Sequence, residues 1–160
     1  MPRMLLALAV SLTCWSVATN ASGSPGELTQ KDNAAVVAAT LRYRDAWLAN
    51  NPSMVMATLT RDAVLLPSSL QPIVGEKAIR AFWWPADGST TTVTAMDQII
   101  DEVLGDGSVA MVRGHGSLTF TLKQNGQERS ETLRSTFINI LKRQADGSWL
   151  IARRMWSDLR

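Results

Sequence analysis

The second half of the chain is divided by three short turn sequences, and these constrain the fold more than any other feature. Asn-Gly and Asp-Gly pairs are among the strongest local signals for a tight β-hairpin turn. Between the turns, apolar and polar side chains alternate with a period of two, which is typical of β-strands. The pattern predicts four strands over residues 90–104, 108–123, 130–143 and 148–157, separated by Gly105-Asp106-Gly107, Asn125-Gly126 and Asp146-Gly147.

The first half of the chain follows a helical period instead. Apolar side chains recur at helical spacing over residues 31–49, and Thr29 with Asp32 three positions later is close to a capping box. The same reasoning predicts a short helix over 52–59 that begins at Pro52, an apolar strand over 63–66 and a third helix over 75–84. Helices at one end and hairpins at the other predict one α+β domain, in which the helices cover one face of an antiparallel sheet.

The first 21 residues are predicted to be a secretory signal peptide. An apolar run from Met4 to Ala18 follows the basic residue Arg3, and small residues offer cleavage positions after Ala18 or Ala21. The run is about 15 residues long and a membrane span needs about 20, so we expect no stable membrane insertion after cleavage. We therefore predict a periplasmic or secreted protein with a signal peptide over 1–21, a linker over 22–27 and one domain over 28–160.

The inventory of reactive side chains excludes several kinds of chemistry. The chain has one Cys, one His and one Tyr, and Cys14 falls in the predicted signal peptide, so disulfide frameworks, Cys/His zinc sites and Cys–His nucleophiles are excluded. A net charge of +2 argues against a nucleic-acid partner, which needs a cluster of basic residues on one face. The carboxylates of Asp97, Asp101 and Glu102 fit a solvated edge strand better than a metal site. We predict no metal and no other cofactor.

Three stretches of the sequence resemble the nuclear transport factor 2-like superfamily, which includes ketosteroid isomerase and the SnoaL-like proteins. They are YRDAW at 43–47 with DAVLLP at 62–67, GEKAIRAFW at 75–83, and KRQADGSWLIAR at 142–153 followed by Met155-Trp156. The resemblance is strongest to the SnoaL-like branch, whose small bacterial members have no assigned reaction. It implies a cone-shaped fold, in which a strongly curved antiparallel sheet wraps around a long N-terminal helix and encloses an apolar pocket.

The resemblance does not extend to steroid isomerisation. It places Tyr43 at the position of the tyrosine that donates a hydrogen bond to the oxyanion in ketosteroid isomerase. The position of the carboxylate base holds Pro67, and the position of the protonated acid falls near residues 137–139, where this chain has no carboxylate. SnoaL-like relatives usually carry an acid where Arg154 stands, so the role of that acid does not transfer to this chain either.

Two side chains remain as catalytic candidates. Histidine is the residue type best suited to act as a general base at neutral pH, which makes the single histidine, His115, the natural base, and Tyr43 is the natural hydrogen-bond donor. Each also has a structural interpretation, as a half-buried strand histidine and as a packed helix tyrosine. We expect the ligand pocket to be lined by Trp47, Trp83, Phe137, Asn139 and Trp156.

Three functions are compatible with these residues. The favoured hypothesis is an exported binding domain, homodimeric through the outer face of its sheet, whose pocket holds a small hydrophobic or amphipathic molecule. The alternative is an isomerase, cyclase or hydratase that uses Tyr43 as donor and His115 as base, and it requires both side chains to reach one cavity. The third is a protein-interaction domain whose cone is filled and holds no ligand.

Overall fold

The computed structural model describes residues 27–159, so the predicted signal peptide and all but the last residue of the predicted linker lie outside the described residues. The described part contains three helices and six strands. In chain order they are α1 (Gln30–Leu48), α2 (Pro52–Ala57), β1 (Leu59–Leu66), β2 (Ile73–Val74), α3 (Gly75–Trp83), β3 (Thr90–Gly105), β4 (Val109–Gln124), β5 (Gln127–Arg143) and β6 (Trp149–Asp158). All the predicted helices and strands are present, and β2 is the one addition.

The strands form one sheet in the order β2-β1-β6-β5-β4-β3. The hairpins predicted from the turn sequences pair β3, β4, β5 and β6 antiparallel. The prediction of an entirely antiparallel sheet is wrong at one pairing, because β1 lies parallel to β6. Antiparallel neighbours follow from short hairpins, whereas β1 reaches its place beside β6 through a long connection, and such a connection leaves its direction free.

The first helix is fixed at its start by the cap that the sequence predicts. The hydroxyl of Thr29 accepts a hydrogen bond from the backbone N–H of Asp32 at 3.0 Å and donates one to the Asp32 carboxylate at 2.8 Å. The same carboxylate lies 3.1 Å from the guanidinium of Arg143 at the end of β5. These contacts hold α1 against one face of the sheet, here called the inner face, with Val36 and Tyr43 buried between them.

A bulge in β6 changes which of its side chains face inward. Leu141 pairs with Ile151 while the preceding residue, Ile140, pairs with Arg153, so Ala152 is an extra residue in the strand. Strict alternation predicts Ile151 and Arg154 on opposite faces, but both are buried on the inner face. The prediction was wrong here because one inserted residue moves every later side chain of the strand to the opposite face of the sheet.

Two glycines of β4, Gly114 and Gly116, lie where neighbouring groups approach the strand backbone closely. A Cβ atom added to Gly114 would lie 2.6 Å from Cζ of Phe137, and one added to Gly116 would collide with the carbonyl group of Asp97. The ring of Phe137 therefore lies directly over the backbone of β4. This placement brings the ring into the inner layer of the domain, where it contacts the site described next.

Candidate functional site

A pocket of about 260 Å³ lies between the first helix, the third helix and the inner face of the sheet. Its walls are mainly apolar and aromatic. They come from Tyr43 and Trp47 of α1, Phe82 and Trp83 of α3, Arg154 and Trp156 of β6, and side chains of β3 to β5 that include Val93, Met96, Leu118 and Leu133. The cone is therefore not filled, whereas the interaction-domain hypothesis requires a filled cone.

The aromatic wall of the pocket is centred on Trp47. Its ring packs edge-on against Trp83, with 4.9 Å between ring centroids, and it stacks on Trp84 at 5.5 Å. Tyr43 lies one helical turn before Trp47, and the two centroids are 6.2 Å apart. Aromatic pairs in these arrangements contribute about 0.5–1.5 kcal/mol each beyond their burial, so the wall is held in place by its own contacts.

The turn after α1 fastens this wall to the sheet. Asn50 adopts a left-handed backbone conformation with φ of 48°, which asparagine tolerates better than most residues. Its side-chain amide donates to the carbonyl of Val93 at 2.9 Å and accepts from the N–H of Val93 at 2.7 Å. Because Val93 lines the pocket, Asn50 sets the distance between the helix and β3 at the pocket itself.

The pocket contains one charged side chain, Arg154, which is 6% exposed. The centre of its guanidinium lies 4.6 Å from the ring centroid of Tyr43, 5.0 Å from that of Phe137 and 5.9 Å from that of Trp156. Its NH1 nitrogen donates a hydrogen bond of 2.7 Å to the side-chain oxygen of Asn139, which is fully buried. Three rings and one amide therefore surround the cation.

No carboxylate balances the charge of Arg154 within residues 27–159. All 14 Asp and Glu residues of the chain belong to that range, and none brings an oxygen within 4.0 Å of the guanidinium nitrogens. Burying an ion costs several kcal/mol, and a desolvated cation–π contact returns about 2 kcal/mol. Burial lowers the pKa of Arg154, but an arginine side chain remains charged in proteins. The positive charge of Arg154 in the pocket is therefore not compensated by any carboxylate of the described residues.

Tyr43 carries a neutral hydroxyl beside this cation. Burial raises the pKa of Tyr43, while the nearby charge of Arg154 acts in the opposite direction without cancelling it. The phenol is therefore protonated at neutral pH and is available as a hydrogen-bond donor. Its hydroxyl lies near Arg154, although the well-formed hydrogen bond of the guanidinium is the one to Asn139.

The predicted pocket residues divide into two groups. Trp47, Trp83 and Trp156 lie in the pocket wall. Phe137 and Asn139 are buried behind the wall, where they contact the guanidinium of Arg154. Sequence reasoning did not include Arg154 in the site. One feature of the sequence could have indicated Arg154, because SnoaL-like relatives usually carry an acidic residue at that position and this chain carries a basic one.

The structure does not bring Tyr43 and His115 together. Gly114 faces inward beneath Phe137, so the next residue, His115, points to the opposite side of the sheet, here called the outer face. There its Nδ1 lies 3.0 Å from the carboxylate of Asp101, and the side chain is 47% exposed. The alternative enzyme mechanism, which needs both side chains at one cavity, is therefore wrong on geometric grounds.

The carboxylates of the edge strand β3 are paired with cations of β4. Arg113 lies 3.2 Å from Asp101 and 3.2 Å from Glu102. In the part of the chain that the structure describes, no three His, Cys, Asp or Glu side chains are grouped so as to hold a metal ion. Of the helices between residues 27 and 159, none is both long and apolar enough to cross a membrane.

Comparisons with solved structures reveal the same fold in other proteins. A ketosteroid isomerase-like protein from Erwinia carotovora atroseptica is 22% identical with a TM-score of 0.69, and the match covers 82% of this chain and 99% of that one. A conserved protein from Planctomyces limnophilus is 19% identical with a TM-score of 0.65, covering 82% and 100% of the two chains. A nuclear transport factor 2-like protein with a cystatin-like fold from Novosphingobium aromaticivorans is 18% identical with a TM-score of 0.52, covering 81% and 82%.

At these identities the structural matches show the fold and no activity. A search of curated proteins finds no match. The family model of the SnoaL-like domain matches residues 40–152, a range that runs from α1 to β6 and includes most of the residues that line the pocket. The chain belongs to the SnoaL-like domain family, with the α+β fold of the nuclear transport factor 2-like proteins and a curved, mixed, six-stranded sheet.

Proposed function

We propose that this protein binds a small hydrophobic or amphipathic molecule in the pocket between α1, α3 and the sheet. The observation that carries the proposal is the pocket itself, with its volume of about 260 Å³ and its aromatic wall. Ligand sites are usually preformed apolar concavities of about 300–1,000 Å³ with a few polar groups, and this pocket lies just below that range. It therefore suits a small ligand.

The energetics of such a pocket favour an aliphatic or aromatic group. Each buried CH₂ group contributes about 0.8 kcal/mol, so a chain of several carbons is sufficient for measurable binding. The walls need little rearrangement, because Trp47 is already packed against Trp83 and Trp84 and the helix end is tied to β3. A preformed site keeps the entropic cost of binding low.

Isothermal titration calorimetry with 1-octanol tests the proposal. We expect saturable binding to the wild-type protein, because the alkyl chain fills the pocket. Leu118→Trp places a larger side chain in the pocket wall and should abolish the binding. Ile99→Trp is the matched control, because Ile99 of β3 is exposed and does not line this pocket. It should leave the affinity for 1-octanol unchanged.

Two results contradict the proposal. One is the absence of 1-octanol binding to the folded wild-type protein. The other is equal binding by Leu118→Trp and by Ile99→Trp, because the alcohol would then occupy another surface. Circular dichroism of both variants establishes that they are folded. Mass spectrometry of small molecules retained by the purified protein then identifies natural ligands.

We also propose that the protein is exported by its N-terminal segment. The support is the sequence pattern alone, with an apolar run after Arg3 and small residues up to Ala21. Expression of the full chain in a bacterium and N-terminal sequencing of the protein from the periplasm or medium tests this. A mature chain that begins at Thr19 or Ser22 supports export, and an uncleaved chain found in the cytoplasm contradicts it.

We propose further that two copies associate through the outer face of the sheet. Met111 pairs with Ile140 across β4 and β5, and Ile138 pairs with Met155 across β5 and β6, so four apolar side chains form one patch. Met155 is 45% exposed, and α1 packs against the opposite face. Such a patch favours association with a matching surface.

Sedimentation velocity measures this association. We expect a dimer for the wild-type protein and a monomer for Ile138→Asp, which places a charge in the patch. Val74→Asp introduces the same charge at a side chain of β2 that is 62% exposed, and it should remain dimeric. A monomeric wild-type protein at micromolar concentration contradicts the proposal.

A further inference from the structure

The unbalanced charge of Arg154 restricts the chemistry of the ligand. The guanidinium lines the pocket, is 6% exposed and has no carboxylate near it among residues 27–159. A guanidinium has five N–H donors, and the well-formed hydrogen bond in the described part of the chain uses one of them, on Asn139. Donors and positive charge are therefore available at an otherwise apolar wall.

The surroundings of Arg154 hold the guanidinium in position and leave its charge in place. Tyr43, Phe137 and Trp156 contact it through ring faces, and Asn139 accepts through a neutral oxygen. The hydrogen bond directs the oxygen of Asn139 toward Arg154, and the amide nitrogen of Asn139 is buried without a partner among the described residues. A cation that is held rigidly and is not neutralised is arranged to meet an anion.

On the basis of the binding function proposed above, we propose that the ligand is an amphipathic carboxylate, with its head group on Arg154 and its apolar part against Trp47 and Trp83. The planar guanidinium matches a carboxylate through two parallel hydrogen bonds. One arginine balances the single charge of a carboxylate, whereas a phosphate dianion would leave one charge unpaired in an apolar site. The neutral hydroxyl of Tyr43 lies beside the guanidinium and adds a donor.

A purely structural role explains this arrangement less well. An apolar side chain at position 154 would fill the same volume next to Phe137 and Trp156 without the cost of burying a charge. The pairing of Arg154 with Asn139 also does not require the guanidinium to lie in the pocket wall, where it is found. The experiment below separates the two roles, because a structural arginine does not discriminate between ligand head groups.

Calorimetry with octanoate and 1-octanol tests the proposal, since the two probes have the same chain length and differ in the head group. At pH 7 we expect the wild-type protein to bind octanoate at least tenfold more tightly than 1-octanol. Arg154→Met should remove that preference, because the guanidinium that distinguishes the two head groups is then absent. Arg113→Met removes an arginine from the outer face and should keep the preference.

Two further measurements do not depend on the folding of Arg154→Met. In the wild-type protein, the affinity for octanoate should fall as pH decreases through the carboxylate pKa, near 4 to 5 for a simple acid of about the strength of Glu, while that for 1-octanol stays constant. Tyr43→Phe retains the ring and removes the hydroxyl. It should weaken the binding of octanoate several-fold more than the binding of 1-octanol.

The results with the two probes distinguish a failure of the carboxylate assignment from a failure of the proposed binding function. Equal affinities for the two probes, or a preference for 1-octanol, overturn the carboxylate assignment and leave the binding function standing. An octanoate preference that survives Arg154→Met, or an octanoate affinity that does not depend on pH, also overturns it, because the head group would then lie elsewhere. The absence of binding by either probe overturns the binding function and the assignment together.

Discussion

Two arginines on the same sheet show how differently the protein treats the same charge. Arg113 lies on the outer face with its side chain 49% exposed, and it pairs with Asp101 and Glu102 at 3.2 Å each. Arg154 lies on the inner face, 6% exposed, with three aromatic rings and one amide around it. The exposed Arg113 contacts both carboxylates and solvent. The buried Arg154 has little contact with solvent and no carboxylate partner among residues 27–159.

Of these two arginines, the exposed one is paired with carboxylates, whereas the buried one has no carboxylate partner among residues 27–159. Exposed ion pairs contribute about 0–1 kcal/mol, because water already stabilises both partners. A buried cation depends on every contact that the protein supplies. We therefore expect substitutions around Arg154 to have large effects on stability and on binding, and those around Arg113 to have small ones.

The largest effect is expected from removing the acceptor of Arg154. Asn139→Leu leaves a buried charge without its hydrogen bond, and we expect the free energy of unfolding to fall by about 3 kcal/mol in urea titrations. The double variant Asn139→Leu with Arg154→Met removes the charge as well and should recover most of the loss. A loss below about 0.5 kcal/mol in the single variant would show that the hydrogen bond has little importance.

The next effect concerns the ring of Phe137, which packs on Arg154. In Gly114→Ala the new Cβ atom would collide with the backbone carbonyl of Ile99 in β3 and would lie 2.6 Å from Cζ of Phe137, so the strand backbone and the ring must both shift. Overpacking of this kind costs about 2 kcal/mol, measurable as a lower thermal midpoint. Thr136→Ala, at an exposed position on the outer face of β5, is the control and should leave the midpoint unchanged. An unchanged midpoint in Gly114→Ala would contradict the close packing described here.

The third effect is a pH dependence of the inner face. Because burial raises the pKa of Tyr43, its neutral form stabilises the fold fully below the unfolded pKa of about 10, and this contribution is lost as pH rises further. Tyr43 is the single tyrosine of the chain, so absorbance at 295 nm follows it alone. We expect its ionisation midpoint to be higher in the folded protein than in urea. Coincident midpoints would argue against burial.

The smallest effect is expected on the outer face. Asp101→Asn removes the carboxylate next to His115 and Arg113, and His115→Ala removes the ring. Both side chains are partly exposed, so each variant should change the free energy of unfolding by less than about 0.5 kcal/mol in urea titrations. Neither should alter the binding of octanoate or 1-octanol. A loss of binding in His115→Ala would contradict the separation of the two faces.

The local elements of this fold follow directly from the order of residues. Turn sequences such as Asn125-Gly126 place the hairpins, Thr29 begins the first helix, and Pro52 lies in the first turn of the second. These features depend on contacts between residues a few positions apart, so they can be predicted from the local sequence. Three aromatic residues of the pocket wall, Trp47, Trp83 and Trp156, were also predicted.

The site itself depends on contacts that no local pattern encodes. One extra residue, Ala152, turns Arg154 to the inner face, and the rings around it come from α1, β5 and β6, which are far apart in the chain. The parallel pairing of β1 with β6 and the separation of Tyr43 from His115 also arise from strand pairing. Alternation assigns side chains to faces only within an unbroken strand. The sequence alone therefore identified the helices, the strands and three of the aromatic residues in the pocket wall, whereas tertiary pairing placed the charge of Arg154 among them.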